Sequence, residues 1–336
     1  MCYSNTKCRV RIGGEVTDAF DVRGGLKQGC ALSTLLFNLT LEWVMRQTPS
    51  GTGVRLGDVT EDRLAYADDV DFFGENWDEL KGTVQTFQNA ARRIGLEINQ
   101  SKTKILKVSR NDRIMGNIRC GDMVLEAVES FKYLGSTVTS ENRVEEEVKI
   151  RIASGARCSW ALAKTLKSSI LSRKTKTQIY TTIIRPIVTY GTETLRLTKE
   201  LERRLEVFEN GVLRQIYGPV FDPEMGAWRR RHNEELRNLT GLPPITNIIR
   251  SQRLRWAGHL ARMPEDRVAK RVLRGRPEGT RPLGRPRMRW LDNVERDVGQ
   301  LGLEEVEDWW EVAQDRMGWQ HLVKAAMDHR GPQPAE

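Results

Sequence analysis

The chain has 336 residues, of which 39% are hydrophobic and 29% charged, a composition that favours a folded globular protein over a disordered one. Its net charge of +9 and its pI near 9.4 favour a polyanionic partner, nucleic acid first. The sequence contains no apolar run long enough for a membrane span and no signal-peptide pattern at its start, which argues against both.

The cysteines indicate a reducing environment. They are scattered along the chain and include no CxxC pair, so the sequence supports neither a disulfide framework nor a zinc module. The five are Cys2, Cys8, Cys30, Cys120 and Cys158. Free thiols are typical of intracellular proteins, and we expect this one in the nucleus and the cytoplasm.

The first part of the chain alternates between strand and helix patterns. Residues 8–22 predict a hairpin that turns at Gly13-Gly14, because paired glycines permit the positive φ of a tight turn. Residues 31–47, ALSTLLFNLTLEWVMRQ, carry leucines at helical spacing. Residues 63–73, RLAYADDVDFF, predict a second hairpin.

A second helix pattern follows this hairpin. NWDELKGTVQTFQNAARRIG begins at Asn76, a favourable N-cap, and ends at Gly95. Short strand patterns follow in TKILKV, IRCGDMVLE and FKYLG. From about residue 142 the sequence predicts helices, over 143–167, 173–190 and 199–217. Strands with helices, and then helices alone, are typical of an α+β domain followed by helical ones.

Asp68 and Asp69 lie side by side within the apolar second hairpin. One interpretation is an exposed turn, since aspartate is a common turn residue. The apolar flanks instead predict core strands, and two adjacent like charges repel unless a positive group lies beside them. Mg²⁺ binds carboxylate oxygens together with substrate phosphates, and a pair of such ions clamps the attacking and leaving oxygens of a phosphoryl displacement. The pair therefore favours a magnesium site.

Four blocks of the sequence resemble the reverse transcriptases of non-LTR retrotransposons, most closely those of the RTE-like type. In chain order they are GGLKQGCALSTLLFNLTLE, YADD, GLEINQSKTKIL and FKYLGSTV. They look like the family's glycine–glutamine block, catalytic hairpin, lysine block and primer-grip hairpin. LSRKTKTQIYTTIIRPIVTYGTETLRLT is similar to the thumb, and RLRWAGHLARMPEDR and GRPRMRWLDNVERDV to the C-terminal region. The resemblance covers nearly the whole chain.

The resemblance implies an α+β fold with three regions. Residues 1–136 are expected to form a partial polymerase palm, an antiparallel sheet with backing helices. Residues 137–220 would form a helical thumb. Residues 221–336 would form a basic, mostly helical C-terminal region that binds nucleic acid.

The resemblance also implies roles for individual residues. Asp68 and Asp69 are the implied catalytic metal ligands, and Lys102 the residue that protonates the leaving pyrophosphate. The implied nucleotide- and template-contacting residues are Gln28, Gly29, Tyr66 and Ala67. The implied cofactor is Mg²⁺, with Mn²⁺ as a substitute. The implied partners are an RNA template with a DNA primer, or another duplex nucleic acid, and deoxynucleoside triphosphates.

The family's catalytic centre requires a third carboxylate, on a palm strand before the glycine–glutamine block. DAFDV, residues 18–22, looks like that strand but lies only a few residues before Gln28-Gly29, where the family has an unrelated hairpin, so we reject it. The family's fingers and endonuclease domain are not matched either. Electrostatic stabilisation is usually the largest catalytic term, and we therefore expect the isolated chain to be inactive.

Two basic stretches are expected to contact nucleic-acid phosphates. Residues 149–176 contain eight Lys or Arg and no Asp or Glu, whereas residues 250–289 contain thirteen against three. A solvated helix face and a basic linker are the respective alternatives. The implied contacts are Lys164, Lys167, Arg173, Lys174, Lys176, Arg281, Arg285, Arg287 and Arg289.

Aromatic residues of the C-terminal region allow different interpretations. Trp256 and Trp290 are interleaved with the basic residues and could stack on bases. His259 has no cysteine nearby, which argues against a metal site. Trp309, Trp310 and Trp319 recur at helical spacing, which favours core packing.

Three functions stay open at this stage. The chain could be an RNA-directed DNA polymerase module or its remnant. It could be a non-catalytic nucleic-acid-binding protein built from the thumb and the basic region. It could also be a fragment without a selected role. An upstream reading frame with an acidic palm strand would favour the enzyme.

Overall fold

The computed structural model describes residues 6–22, 24–51, 53–56, 59–109, 116–275, 284, 288–301 and 308–328. The chain divides into two compact units. The first comprises the described residues up to Ile105, Gly116–Ala127 and Gly275, and the second comprises the remaining described residues. No helix in the described ranges combines the length and apolar character needed to cross a membrane.

The first unit begins with a small hairpin. Its strands are β1 (Lys7–Cys8), β2 (Arg11–Ile12), β3 (Glu15–Val16) and β4 (Phe20–Asp21). β1 pairs with β4 and β2 with β3, both antiparallel, around a turn in which Gly13 and Gly14 have positive φ. The predicted hairpin is confirmed.

Two helices and two further hairpins follow. The helices are α1 (Ala31–Gln47) and α2 (Trp77–Arg93), and the strands are β5 (Val54–Leu56), β6 (Val59–Glu61), β7 (Arg63–Tyr66) and β8 (Asp69–Phe72). Asn76 caps α2 as predicted, since its side chain accepts a hydrogen bond from the Asp78 amide at 2.9 Å. Val44 of α1 and Phe87 of α2 belong to one buried cluster, which joins the two helices.

A three-stranded sheet completes the first unit. β9 (Lys104–Ile105), β10 (Gly116–Cys120) and β11 (Met123–Ala127) lie in the order β10-β11-β9. β10 and β11 form an antiparallel hairpin, and β9 pairs parallel to β11. The α+β class is confirmed, with the strands arranged as separate small ladders among the described residues.

The second unit begins with a hairpin anchored on a helix. β12 (Ser130–Tyr133) and β13 (Ser136–Thr139) precede α3 (Val144–Ala161). The buried Glu147 of α3 accepts a hydrogen bond from the Thr137 amide at 2.8 Å, and Arg151 donates to the Gly135 carbonyl at 2.6 Å. The hairpin that resembles a primer grip therefore packs with the helices. The predicted division into residues 1–136, 137–220 and 221–336 differs from these two compact units. That division stays a prediction.

Helices make up most of the second unit. They are α4 (Ala163–Lys167), α5 (Arg173–Ile179), α6 (Arg185–Thr189), α7 (Lys199–Tyr217), α8 (Asn233–Thr240), α9 (Ile245–Arg262), α10 (Val268–Arg274), α11 (Trp290–Gly299), α12 (Trp309–Val312) and α13 (Arg316–Asp328). A π-helical turn, Tyr180–Ile184, joins α5 to α6, and a 3₁₀ turn, Thr192–Thr194, follows α6. A strand pair, β14 (Val220–Asp222) and β15 (Ala227–Arg229), separates α7 from α8. The helices predicted over 143–167, 173–190 and 199–217 are confirmed.

The end of the second unit has its own core. α9, α11 and α13 share one buried cluster that includes Trp309 and Trp319, so the predicted core role of these tryptophans is confirmed. Trp319 Nε1 donates to the Leu254 carbonyl at 2.7 Å. The fully buried Arg253 of α9 forms an ion pair with the fully buried Asp297 of α11. This pair links the two helices.

Candidate nucleotidyl-transfer site and nucleic-acid surfaces

The paired aspartates lie at the tip of the β7–β8 hairpin. Tyr66 pairs with Asp69, which leaves Ala67 and Asp68 as a two-residue turn. Ala67 has φ 55°, the left-handed conformation that such turns require. Both aspartates are exposed. The predicted turn position and carboxylate exposure are confirmed.

The strands that carry the aspartates are less buried than predicted. Tyr66 is 65% exposed, and Ala65 is exposed as well. Val70 and Phe72 are partly buried, and both pack against the cluster that α1 and α2 share. The prediction of core strands was therefore wrong near the turn. The hairpin is held at its base, and its tip projects into solvent.

A third carboxylate belongs to the same hairpin and was missed in the sequence. Asp71 lies two residues after Asp69, and alternate residues of a strand share one face. Asp71 is partly buried, and the alternation of YADDVDFF could have identified it. Nevertheless, no group of three or more metal-binding side chains is found within the described ranges.

The glycine–glutamine block forms a tight exposed turn before α1. The Cys30 amide donates to the Lys27 carbonyl at 3.2 Å, and the Ser33 hydroxyl donates to the same carbonyl at 2.6 Å. Gly29 has φ 84°, a conformation that glycine adopts without strain. This turn presents Gln28 to solvent.

Lys102 lies in the turn between α2 and β9. Its backbone amide donates to the Asn99 carbonyl at 3.1 Å, and its side chain is exposed. Gln28, the aspartate pair and Lys102 all belong to the first unit. Among the described residues, no hydrogen bond or ion pair links Gln28 or Lys102 to the aspartates, so their joint role stays a prediction.

The rejected DAFDV segment lies in the small N-terminal hairpin. Asp21 pairs with Lys7 across the β1–β4 ladder, and Asp18 is exposed in the connection before β4. This two-stranded ladder has no other partner strand among the described residues. The rejection of Asp18 and Asp21 as metal ligands stays a prediction.

Most of the predicted thumb contacts are accessible. Lys164, Lys167, Arg173 and Lys174 are exposed. Lys176 is a correction, because it is only 7% exposed. It lies on the same face of its helix as Tyr180, which is fully buried, so its side chain faces the core. Trp160, within this basic stretch, is 80% exposed, and no sequence pattern predicted that exposure.

The predicted C-terminal arm is described only in part. Arg289 is exposed at the start of α11, where its amide donates to the Asp292 carboxylate at 2.7 Å. Arg281, Arg285 and Arg287 lie outside the described residues, so their contacts stay predictions. Trp290 does not fit the stacking role well, since it is partly buried and its Nε1 donates to the Glu193 carbonyl at 2.7 Å.

Comparison with known proteins supports the class that this hairpin and fold define. Residues 2–138 match the family model described as reverse transcriptase (RNA-dependent DNA polymerase). The chain is 28% identical over 142 residues to the Pol polyprotein of the type-2 retrotransposable element R2DM of Drosophila melanogaster, and 29% identical over 143 residues to that of the type-1 retrotransposable element R2 of Popillia japonica. These alignments cover 39% of the chain, and 13% and 20% of the two polyproteins.

A further relative aligns over most of its length. A transposon-derived protein of Caenorhabditis elegans is 26% identical over 269 residues, which cover 78% of the chain and 94% of that protein. Residues 2–138 thus form a reverse transcriptase domain. The chain carries the reverse transcriptase domain of a non-LTR retrotransposon. This family generally uses a divalent metal ion, and the homology implies binding of template and primer nucleic acid.

Proposed function

We propose that the β7–β8 hairpin contributes two carboxylates to a Mg²⁺-dependent centre that copies RNA into DNA. The observation that carries this proposal is the geometry of YADD, a two-residue turn that exposes Asp68 and Asp69 together. A hairpin anchored at its base holds such carboxylates in fixed positions.

The side chains at the turn suit a hard divalent cation. Asp68 and Asp69 offer only carboxylate oxygens, the ligand type that Mg²⁺ prefers, and their exposure leaves room for substrate phosphates. When bound, the metal would neutralise charge on the transferred phosphoryl group. Tyr66 and Ala67 would lie under the nucleotide, Gln28 would contact the nucleotide or template, and Lys102 would donate the proton to the leaving pyrophosphate.

We further propose that the 336-residue chain does not extend a primer by itself. The two adjacent aspartates supply only part of a two-ion clamp, and the described residues offer no group of three ligands. RNA template, DNA primer and deoxynucleotides remain the proposed substrates, and the nucleus and cytoplasm the proposed locations.

Metal binding and primer extension should be measured separately. With Fe²⁺ in place of Mg²⁺, hydrogen peroxide as oxidant and ascorbate to regenerate Fe²⁺, local backbone cleavage should occur near the hairpin and disappear in the Asp68→Asn/Asp69→Asn variant. Asp18→Asn is the matched control and should cleave like the parent chain. Cleavage that persists without the aspartate pair would contradict the metal site.

Primer extension on an RNA template tests the second part. We expect no incorporation of labelled nucleotide with either Mg²⁺ or Mn²⁺. Incorporation that is abolished by Asp68→Asn would show that the chain completes its own catalytic site, and would overturn the proposed inactivity.

A second candidate function is non-catalytic nucleic-acid binding. It is favoured by the exposed basic residues Lys164, Lys167, Arg173 and Lys174 of the second unit, because exposed cations can contact phosphates without a metal ion. This function would use the exposed basic residues of the second unit and would leave binding unchanged in the Asp68→Asn/Asp69→Asn variant.

A further inference from the structure

A basic cleft lies between α9 and α13 in the second unit. Its volume is about 930 Å³, near the upper end of the range of about 300–1,000 Å³ for ligand-binding sites. Its polar walls are formed by Arg255, Trp256, His259, Arg316, Gln320 and Lys324. Arg316, Gln320 and Lys324 are spaced four residues apart and therefore share one face of α13.

The floor of the cleft is apolar and fixed. Trp319 and Val323 line it and are both buried. The hydrogen bond from Trp319 Nε1 to the Leu254 carbonyl joins α13 to α9. Gly258 of α9 lies so close that an added Cβ would be 2.2 Å from Trp319 Nε1. The walls are therefore carried on two helices in close contact.

The cations of the cleft are available to a ligand. Arg255, Arg316 and Lys324 are exposed, and none of them forms an ion pair within the part of the chain that the structure describes. Arg262, at the edge, donates to the Ala313 carbonyl. Glu193 is the acidic residue among those that line the cleft. Concave surfaces lined mostly by one sign of charge concentrate ions of the other sign, so the cleft suits an anion.

Aromatic rings accompany these cations. The ring centroids of Trp256 and His259 are 5.4 Å apart, with the planes tilted by 38°. His259 is exposed, and Trp256 is partly exposed. Cations that follow a phosphate backbone, together with rings on which bases stack, are typical of sites for single-stranded nucleic acid. A duplex hides the faces of its bases and cannot use the rings in this way.

We propose that the α9–α13 cleft binds unpaired nucleotides of an RNA or DNA strand. The phosphates would contact Arg255, Arg316 and Lys324, and a base would stack on Trp256. This site goes beyond the nucleotidyl-transfer centre, since it requires neither a metal ion nor the aspartate pair. It also adds α13 to the predicted nucleic-acid surfaces.

The charge of the cleft can be tested with a fluorescent single strand, the full chain and no divalent metal. Arg316→Gln/Lys324→Gln removes two exposed cations of the cleft. Lys199→Gln/Arg237→Gln is the matched control, because it removes one lysine and one arginine from exposed helical positions of the same unit. We expect affinity to fall about tenfold more in the cleft variant. The slope of log affinity against log salt should flatten by about 1.4, or 0.7 per phosphate contact. Equal losses in the two variants would overturn the proposal.

The aromatic contact is tested by Trp256→Ala and the conservative Trp256→Phe. Loss of one stacked base lowers affinity by at least about fivefold, so Trp256→Ala should show this loss and Trp256→Phe should retain most binding. A strand of abasic nucleotides should bind both variants alike. Thermal unfolding establishes whether each variant is folded. If Trp256→Ala does not fold, the surface variant Arg316→Gln/Lys324→Gln still tests the proposal.

The identity of the strand is tested with the same variants. If duplex binding falls as much as single-strand binding in Arg316→Gln/Lys324→Gln, the cleft does not select unpaired nucleotides and the proposal fails. RNA and DNA strands of one sequence then show which strand the cleft prefers. These assays omit metal and nucleotide. A negative result for the cleft is therefore distinguishable from a negative result for the nucleotidyl-transfer site.

Discussion

The two units bury their apolar side chains to different extents. Of the buried apolar residues in the described ranges, seven belong to the first unit and 26 to the second, although the first unit contains more than a third of the chain. In α1, Leu32, Leu35 and Leu39 are 48–59% exposed. The helical unit is therefore stabilised mainly by tertiary packing, whereas the unit with the aspartate hairpin depends more on turns, caps and strand pairing.

This contrast predicts large mutational effects in the helical unit and small ones in the hairpin unit. The largest is expected at the buried pair of Arg253 and Asp297. Asp297→Ala leaves a buried guanidinium without its partner, which costs about 3–5 kcal/mol. Chemical denaturation should show this loss of unfolding free energy.

The matched control is an exposed ion pair of the first unit. Arg46 pairs with Glu42 one turn away on α1, with both side chains more than half exposed. Arg46→Ala should change stability by no more than about 0.5 kcal/mol. A similar loss in both variants would contradict the contrast between the units.

A smaller effect is expected where two helices of the second unit make close contact. An alanine Cβ at position 258 would overlap Trp319, and overpacking of this kind costs about 1–3 kcal/mol. Gly258→Ala should therefore lower the melting temperature. Gly211→Ala in α7 is the control, because no atom lies within 4 Å of its added Cβ, and helix propensity should raise stability by about 0.5–1 kcal/mol.

A pH-dependent effect is expected at Glu209 of α7. Burial raises the pKa of this carboxyl, although it accepts hydrogen bonds from the Tyr180 hydroxyl at 2.6 Å and the Ile245 amide at 2.7 Å. A raised folded-state pKa means that the protonated form favours the folded state. This contribution is complete below the unfolded-state pKa of glutamate and is lost as pH rises through the folded-state value.

Thermal unfolding as a function of pH tests this effect. The parent chain should lose stability relative to Glu209→Gln as pH rises through that window, because the amide cannot ionise. Glu234→Gln, at an exposed position of α8, is the control and should follow the parent. A difference between the parent and Glu209→Gln that is constant with pH would contradict the raised pKa.

Local patterns in the sequence predicted much of the fold. The turn glycines, the Asn76 cap and the helical spacing of apolar residues identified the hairpins and α1, α2, α3 and α7, because these features depend on neighbours along the chain. Burial could not be predicted in the same way. The leucines of α1 and the flanks of YADD are apolar in sequence yet exposed, and Lys176 is charged yet buried, since burial depends on which distant segments meet.

The candidate sites show the same difference between local features, which the sequence predicts, and features that distant segments build together. The YADD tetrapeptide identified Asp68 and Asp69 and placed them at a turn, because a two-residue hairpin is a local structure. The α9–α13 cleft could not be predicted, since its walls come from helices more than 50 residues apart in sequence. The packing of α13 on α9, in which Trp319 and Val323 share a buried cluster with Leu254 and Ala257, brings Arg316 and Lys324 into one cleft with Trp256.

The smallest expected effect is at the tip of the aspartate hairpin. Ala67 has φ 55°, and the left-handed conformation costs a residue with a Cβ about 1–2 kcal/mol. Ala67→Gly removes that cost in the folded hairpin but increases the freedom of the unfolded chain by about 0.4–1 kcal/mol. The two terms partly cancel, and because the first is larger we expect a net stabilisation of about 0.5 kcal/mol. Ala65→Gly in β7 carries only the unfavourable term and should be destabilising. Chemical denaturation of both variants measures the difference, and equal destabilisation would mean that Ala67 is not held in the left-handed conformation in solution.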